Sequence, residues 1–290
     1  MPVAVPHSRL GDLFVFTKVR VNLLVVATTA GGFYMASPDA MNIGLLLGTV
    51  IGTALVAGGA AALNQISERD IDGLMNRTRR RPLPDGRMKL GEARAIAWAC
   101  SIGGVAMLAV IANPLTAAVA AVTLVTYAWV YTPMKRSTSF STVVGAVPGA
   151  LPPVIGWAAA RNSLDAPAWA LFFIVFLWQL PHFLAIAWLY REDYARASLP
   201  MLPVVDPDGA STARQALLYA TALIPMSLLP AALRMTGPIY PIAAGVLGVA
   251  FVAVGIRFAM SRTKPNARLL FLTSLIYLPA VWIAMMVDRS

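Results

Sequence analysis

Residues 43–72 read Ile43-Gly-Leu-Leu-Leu-Gly-Thr-Val-Ile-Gly-Thr-Ala-Leu-Val-Ala-Gly-Gly-Ala-Ala-Ala-Leu-Asn-Gln-Ile-Ser-Glu-Arg-Asp-Ile-Asp72. The first part, 43–64, has no charge and is as long as the roughly 20-residue helix that crosses a bilayer. At its end stands an asparagine, and from Glu68 to Asp72 all but one residue is charged. A bilayer-length helix that ends in acids decides the class of the chain and marks where its chemistry is to be sought.

The rest of the chain agrees. Of its 290 residues 58% are hydrophobic and 12% are charged, with a mean hydropathy of +0.70. A soluble domain carries about 25% charged residues. A water-soluble globule, a disordered chain and a disulfide-stapled module are thereby excluded. Cys100 is the lone cysteine and the histidines are His7 and His182, too few for a cysteine or clustered zinc site. Apolar stretches fall at 19–36, 43–64, 94–112, 115–132, 140–159, 167–189, 214–233, 238–257 and 269–287. The expectation is an all-α, polytopic membrane protein, a bundle of nine transmembrane helices in one domain over 1–290. No cleavable leader is evident, since Pro2, Pro6, Asp12 and Lys18 break up the first 18 residues.

Lysine and arginine orient such a bundle by gathering on the cytoplasmic side. With the N-terminus in the cytoplasm and the C-terminus outside, 20 of the 23 basic residues fall inside, leaving Arg161, Arg234 and Arg289. The net charge of +10 is explained by this asymmetry, so no nucleic-acid partner is expected; the partner is the lipid bilayer. Ten of the 13 acids share the cytoplasmic side, although acids do little to set topology. They cluster in loops at about 65–93 and 190–213.

In the first loop Asn64, Glu68 and Asp72 stand at i, i+4 and i+8, within roughly an 80° arc of one helix face. Like charges so spaced repel, and a divalent cation between them reverses the sign. Their hard oxygens suit Mg²⁺, which readily shares its shell with a substrate phosphate. Asp70 points elsewhere, toward Arg69 or Arg77. The run from Arg77 to Arg81 includes Arg80, and arginine recognises phosphate bidentately. The plainer reading makes these acids solvated and the arginines ordinary cytoplasmic anchors.

The second loop follows Leu177-Trp-Gln-Leu-Pro-His-Phe-Leu-Ala-Ile-Ala-Trp-Leu-Tyr-Arg-Glu-Asp-Tyr194. His182 lies deep in the span and Asp193 at its end. A continuous helix puts them on one face, about 16 Å apart; Pro181 disturbs that phase if it kinks the helix. Gln179 lies one turn before His182. Glu192 is a partner for Arg191 or Arg196. His182 is either a site residue or a hydrogen-bonding partner of a neighbouring helix. Between the loops, Tyr127-Ala-Trp-Val-Tyr-Thr-Pro-Met-Lys-Arg136 brings Lys135 and Arg136 to the same membrane face, as cations for an anionic substrate or as topology charges.

Together these residues resemble the UbiA-type intramembrane prenyltransferases, which carry two acidic segments after helices 2 and 6 of a nine-helix bundle. Asn64, Glu68 and Asp72 match the first motif, with Glu68 where aspartate is commoner. The second motif is usually a pair of aspartates four apart; here Tyr190-Arg-Glu-Asp-Tyr194 departs from it and leaves Asp193 as the match. That segment, with Trp178-Gln-Leu-Pro-His-Phe183, Leu199-Pro-Met-Leu-Pro203 and Tyr131-Thr-Pro-Met-Lys-Arg136, is similar to the haem-farnesylating branch of the superfamily over about residues 10–287.

The resemblance implies farnesyl diphosphate and haem B as substrates, Mg²⁺ as cofactor, a bacterial inner (plasma) membrane and a cytochrome oxidase maturation partner. It implies metal ligation by Asn64, Glu68, Asp72 and Asp193. Arg77, Arg80, Lys135, Arg136, Gln179, Tyr190 and Tyr194 fall to substrate binding, and His182 to binding haem iron or orienting the porphyrin. The alternatives are an aromatic-acid (quinone-precursor) prenyltransferase, a secondary transporter and a CDP-alcohol phosphotransferase, the last faintly suggested by Asp70-Ile-Asp-Gly73.

Overall fold

The computed structural model describes residues 8–37 and 40–290; Pro2, Pro6 and His7 lie outside them. Nine helices among the described residues are long and apolar enough to cross a membrane: Val19–Ala36, Ile43–Ser67, Leu90–Ile111, Pro114–Met134, Ser141–Arg161, Ala166–Leu189, Ala210–Ala232, Ile239–Met260 and Lys264–Val287. The chain is a multi-pass, all-α membrane protein. Among the described residues the only β pairing is an isolated bridge, Thr236 to Arg289.

The spans start where local chemistry starts them. Asn42 caps the second through Leu45 N (3.0 Å), and Asn113 caps the fourth through Thr116 N (2.8 Å), with Pro114 at the first turn. The third, seventh and ninth begin four or five residues before the apolar stretches do. Each extra turn carries charge or polarity, such as Glu92 or Lys264, and long side chains reach the interface from there. The fifth span divides into Ser141–Ala150 and Pro152–Arg161, because consecutive prolines at 152 and 153 cannot donate to the preceding turn.

The fifth and sixth spans are the most buried and form the centre of the bundle. Small residues let backbones meet there, as they do in lipid generally. A Cβ on Gly32 would stand 2.1 Å from the Pro153 carbonyl oxygen, and one on Gly149 only 2.0 Å from Gln179 Oε1.

Two features depart from the sequence-based expectation. A short helix, Arg9–Phe16, capped by Ser8, precedes the first span; Leu10, Phe14 and Val15 are exposed while Phe16 is buried. It leads through Lys18, whose φ of 52° is left-handed, into Val19. And the fourth span is not α-helical throughout: Thr126–Tyr131 is a π-helical turn, a form often found at functional sites.

Candidate active site

The site is built from the end of the second span upward. The helix proper stops at Ser67, Glu68 leaves helical geometry, and a one-turn helix covers Arg69–Asp72. The four-residue hydrogen bonds nevertheless continue, from Glu68 N to Asn64 O (2.9 Å) and from Asp72 N to Glu68 O (2.8 Å). Asn64, Glu68 and Asp72 therefore keep the common face their spacing predicts. All three are sealed in the protein, Asp72 completely.

Buried polar groups need partners, and the two carboxylates and the Asn64 amide oxygen each have a cation. Lys135 Nζ lies 3.0 Å from Glu68 Oε1, Arg81 Nη1 2.6 Å from Asp72 Oδ2, and Lys18 Nζ 3.0 Å from Asn64 Oδ1. The asparagine amide also donates to Thr132 Oγ1 (3.2 Å), which in turn donates to the Tyr127 carbonyl (2.8 Å). The π turn thus sets both Thr132 and Lys135 against the acidic face. Burial opposes ionisation of Glu68, but Lys135 and then Lys18 outweigh it and hold the carboxyl below its ordinary range. Burial likewise disfavours the Lys135 ammonium, and Glu68 reverses this and raises it. For Asp72 burial prevails over Arg81, and the carboxyl is pushed up. Burial, with repulsion from Arg81 behind it, brings Lys18 down to about 7.

The opposite wall comes from the segment after the sixth span. The helical phase expected to link His182 and Asp193 is broken: the span ends at Leu189, Tyr190 is non-helical, and Asp193 sits on a separate turn, Arg191–Arg196. Asp193 is still buried and aimed inward, because the Arg77 backbone amide donates to its Oδ2 (3.2 Å) and Arg196 pairs with Oδ1. The Arg77 guanidinium donates to Tyr194 Oη (3.1 Å) and lies over the rings of Tyr190 (5.0 Å) and Tyr194 (5.3 Å).

Several expected pairings change. Asp70 bonds Arg136 (2.7 Å), not Arg69 or Arg77, and this exposed pair also ties Arg136 to the Ser67 carbonyl (2.6 Å). Glu192 meets Lys264 (3.0 Å) rather than Arg191 or Arg196. Arg80 is exposed and its neighbour Arg81 takes the carboxylate. Gln179 turns into the fifth span, donating to the carbonyls of Ala146 (3.3 Å) and Val175 (3.1 Å).

His182 is buried deeper in the bundle, against the ninth span. Its Nδ1 lies 2.7 Å from Ser274 Oγ, and its ring packs on Trp178 and Phe271, each with centroids 5.1 Å away. A cavity of about 270 Å³, lined by Ser139, Thr142, Leu184, Gln215 and Tyr219 among others, shares no residue with the acidic cluster.

The donor set fits Mg²⁺. Asp72 Oδ1 is buried with no hydrogen-bond partner, and the remaining inward oxygens of Asn64, Glu68 and Asp72 are met by side-chain cations. Among the described residues no three carboxylate, histidine or cysteine side chains form a closed cage; Lys135, Arg81 and Arg196 hold Glu68, Asp72 and Asp193 respectively.

The UbiA prenyltransferase family pattern matches residues 24–277, most of the chain. This chain belongs to the UbiA prenyltransferase family. It is 50% identical over 287 residues to a protein named "Protoheme IX farnesyltransferase" from Solibacter usitatus (strain Ellin6076), covering 96% of this chain and 98% of that one. A protein of the same name from Koribacter versatilis (strain Ellin345) is 45% identical over 303 residues, covering all of this chain and 98% of its own. Among solved structures, a chain from work on digeranylgeranylglyceryl phosphate synthase in membranes superposes with a TM-score of 0.81 at 18% identity, covering 96% and 98%. A UbiA homologue from Archaeoglobus fulgidus bound to GPP and Mg²⁺ gives 0.65 at 16% identity, covering 94% and 99%. These two likenesses are of fold.

Within this UbiA fold, sequence reasoning missed Lys18, Arg81 and Thr132. Arg81 was visible only as one arginine among several. The hint for Thr132 and Lys135 lay in Tyr127-Ala-Trp-Val-Tyr-Thr, whose π geometry no periodicity reveals.

Proposed function

We propose that this chain transfers the farnesyl group of farnesyl diphosphate to the 2-vinyl group of haem B, giving haem O and diphosphate. One observation carries the chemistry: a sealed row of oxygens on Asn64, Glu68 and Asp72, faced by Lys18, Lys135 and Arg81, in a chain half identical to a protein bearing that activity's name.

The difficult step is cleavage of an allylic C–O bond, which leaves growing negative charge on the diphosphate. Preorganised charge aimed at that group is the largest catalytic term in such sites. Asn64, Glu68, Asp72 and Asp193 would hold Mg²⁺, which when bound supplies the positive charge that neutralises the leaving group. Arg81, Lys135 and Lys18 gain an anion to grip once the diphosphate enters. Arg77, clamped by Tyr190 and Tyr194, offers a bidentate guanidinium from the other wall. The apolar bundle holds the farnesyl chain and keeps bulk water from the allylic carbon. The vinyl carbon forms the new C–C bond as the C–O bond breaks; one water then supplies the hydroxyl to the haem side and loses its proton.

The whole chain, 1–290, acts as one prenyltransferase domain. Twenty basic residues of the 23 favour a cytoplasmic N-terminus and an external C-terminus in a bacterial inner membrane, where an oxidase-assembly partner would collect the product. The test is to incubate membranes holding the chain with haem B, farnesyl diphosphate and Mg²⁺. A haem of higher mass that disappears without the metal supports the reading; prenylation of an aromatic acid in its place overturns it.

A further inference from the structure

Deep in the bundle, four side chains from two spans form a unit that the diphosphate chemistry does not use. Trp178 and His182 are one turn apart on the sixth span; Phe271 and Ser274 are one turn apart on the ninth. Trp178 Nε1 donates to the Ser274 carbonyl (2.7 Å), and the imidazole packs against both the indole and the Phe271 ring. The ring is held by two aromatic neighbours and at one nitrogen.

The hydrogen bonds determine which nitrogen carries the proton. A serine hydroxyl has one proton to give. Ser274 Oγ gives it to the Phe271 carbonyl at 2.6 Å. Its 2.7 Å contact with His182 Nδ1 must then run the other way, with Nδ1–H donating to the oxygen. The neutral ring is therefore the Nδ1–H tautomer, with the lone pair on Nε2. Among the described residues Nε2 has no hydrogen-bond partner, and it is absent from the fully sealed, unpartnered polar atoms of the interior, so it is not completely enclosed. A ligating histidine is characteristically arranged this way: one nitrogen tied to a neighbour that fixes tautomer and tilt, the other presented.

We infer that Ser274 is a positioning residue, which holds His182 in the Nδ1–H form so that Nε2 ligates the iron of the haem substrate. The inference rests on the reading of haem B as acceptor and deepens it. Iron ligation would anchor the macrocycle in the bundle and leave rotation about the Fe–N axis to select the vinyl group that reacts.

The test uses the full chain in detergent, titrated separately with ferric haem B and with iron-free protoporphyrin IX. Wild type should give the absorption and electron paramagnetic resonance signature of histidine-bound haem, and His182→Ala should lose it. Ser274→Ala should weaken ferric haem binding roughly ten- to a hundredfold, the scale for losing an outer partner of a ligating histidine. Ser274→Thr, which keeps the hydroxyl, should restore it. Affinity for iron-free protoporphyrin should be unchanged in all three variants. Equal losses for both porphyrins would show a merely structural role and overturn the inference. So would an unchanged haem spectrum in His182→Ala, and if wild type still forms haem O the proposed function survives that result. If wild type farnesylates no haem, the functional reading fails and this inference falls with it.

Discussion

Asp72 and Asp193, 121 positions apart in the chain, are bridged by two consecutive residues. Thr78 Oγ1 donates to the Asp72 carbonyl (2.8 Å) while the Arg77 amide donates to the Asp193 carboxylate (3.2 Å). The two acidic segments are thus brought to a common mouth by one hydroxyl and one backbone amide of the arginine loop, neither of them from an arginine side chain.

Replacing Asp72 tests the oxygen row. Asp72→Ala should cut haem O formation by on the order of 10²-fold or more, the effect of removing a preorganised charge-stabilising group. The protein should still insert into membranes and purify normally. Near-normal haem O from the purified variant, read by mass spectrometry, would remove Asp72 from the machinery.

The Glu68–Lys135 pair tests whether buried charge serves stability or function. Removing one partner of a buried pair costs about 3 kcal/mol or more, because the other is left uncompensated. Glu68→Gln and Lys135→Met should each lower the melting temperature, and the double variant should recover most of the loss. Haem O formation should stay absent in the double variant. A thermal melt beside a turnover assay separates these outcomes.

Arg77 has two attachments, and only one is lost on truncation. Arg77→Ala keeps the amide bond to Asp193 but removes the guanidinium from Tyr190 and Tyr194. The KM for farnesyl diphosphate should rise about tenfold, the loss of roughly 1.4 kcal/mol of binding, with the haem KM little changed. Steady-state kinetics with each substrate varied in turn decides it.

The contact of Gly149 with Gln179 gives a packing test. A Cβ there meets Oε1 at 2.0 Å, so Gly149→Ala should destabilise the bundle by about 2 kcal/mol, as overpacking does. Adding Gln179→Ala should relieve much of this. Lack of relief would place the strain elsewhere.

Orientation is testable with single cysteines in a Cys100→Ser background. Asp85→Cys should react with a membrane-impermeant thiol reagent only after cells are opened, and Ser163→Cys in intact cells. The reverse pattern would invert the topology.

The sequence made much of this legible. Bilayer-length apolar stretches gave the nine spans, because hydrocarbon thickness fixes helix length. The four-residue spacing of Asn64, Glu68 and Asp72 gave a shared face, because a helix repeats nearly at that interval. Where periodicity was extrapolated through a break it failed: His182 and Asp193 do not lie on one helix, since the chain leaves helical geometry at Tyr190. Pairings between distant segments were illegible for a different reason. Asp70 with Arg136 and Glu192 with Lys264 depend on which helices become neighbours, and a long flexible cation has many acids within reach. Gln179 falls to substrate binding by resemblance; its bonds to the carbonyls of Ala146 and Val175 were illegible because in lipid an amide is equally suited to satisfying helix carbonyls.

The π turn at Thr126–Tyr131 makes the chemistry dependent on a reading frame along the fourth span. Each residue removed from a helix rotates the downstream chain by roughly 100°. Deleting one residue from the α-helical stretch before it, Pro114–Val125, would swing Thr132 and Lys135 off Asn64 and Glu68 without shortening the helix enough to leave the bilayer, whereas the wider π turn can close to an α-helical one when it loses a residue. Single-residue deletions in that stretch should give proteins that insert and persist but are catalytically silent, whereas a point change at an exposed position of the π turn, such as Val130, should pass unnoticed.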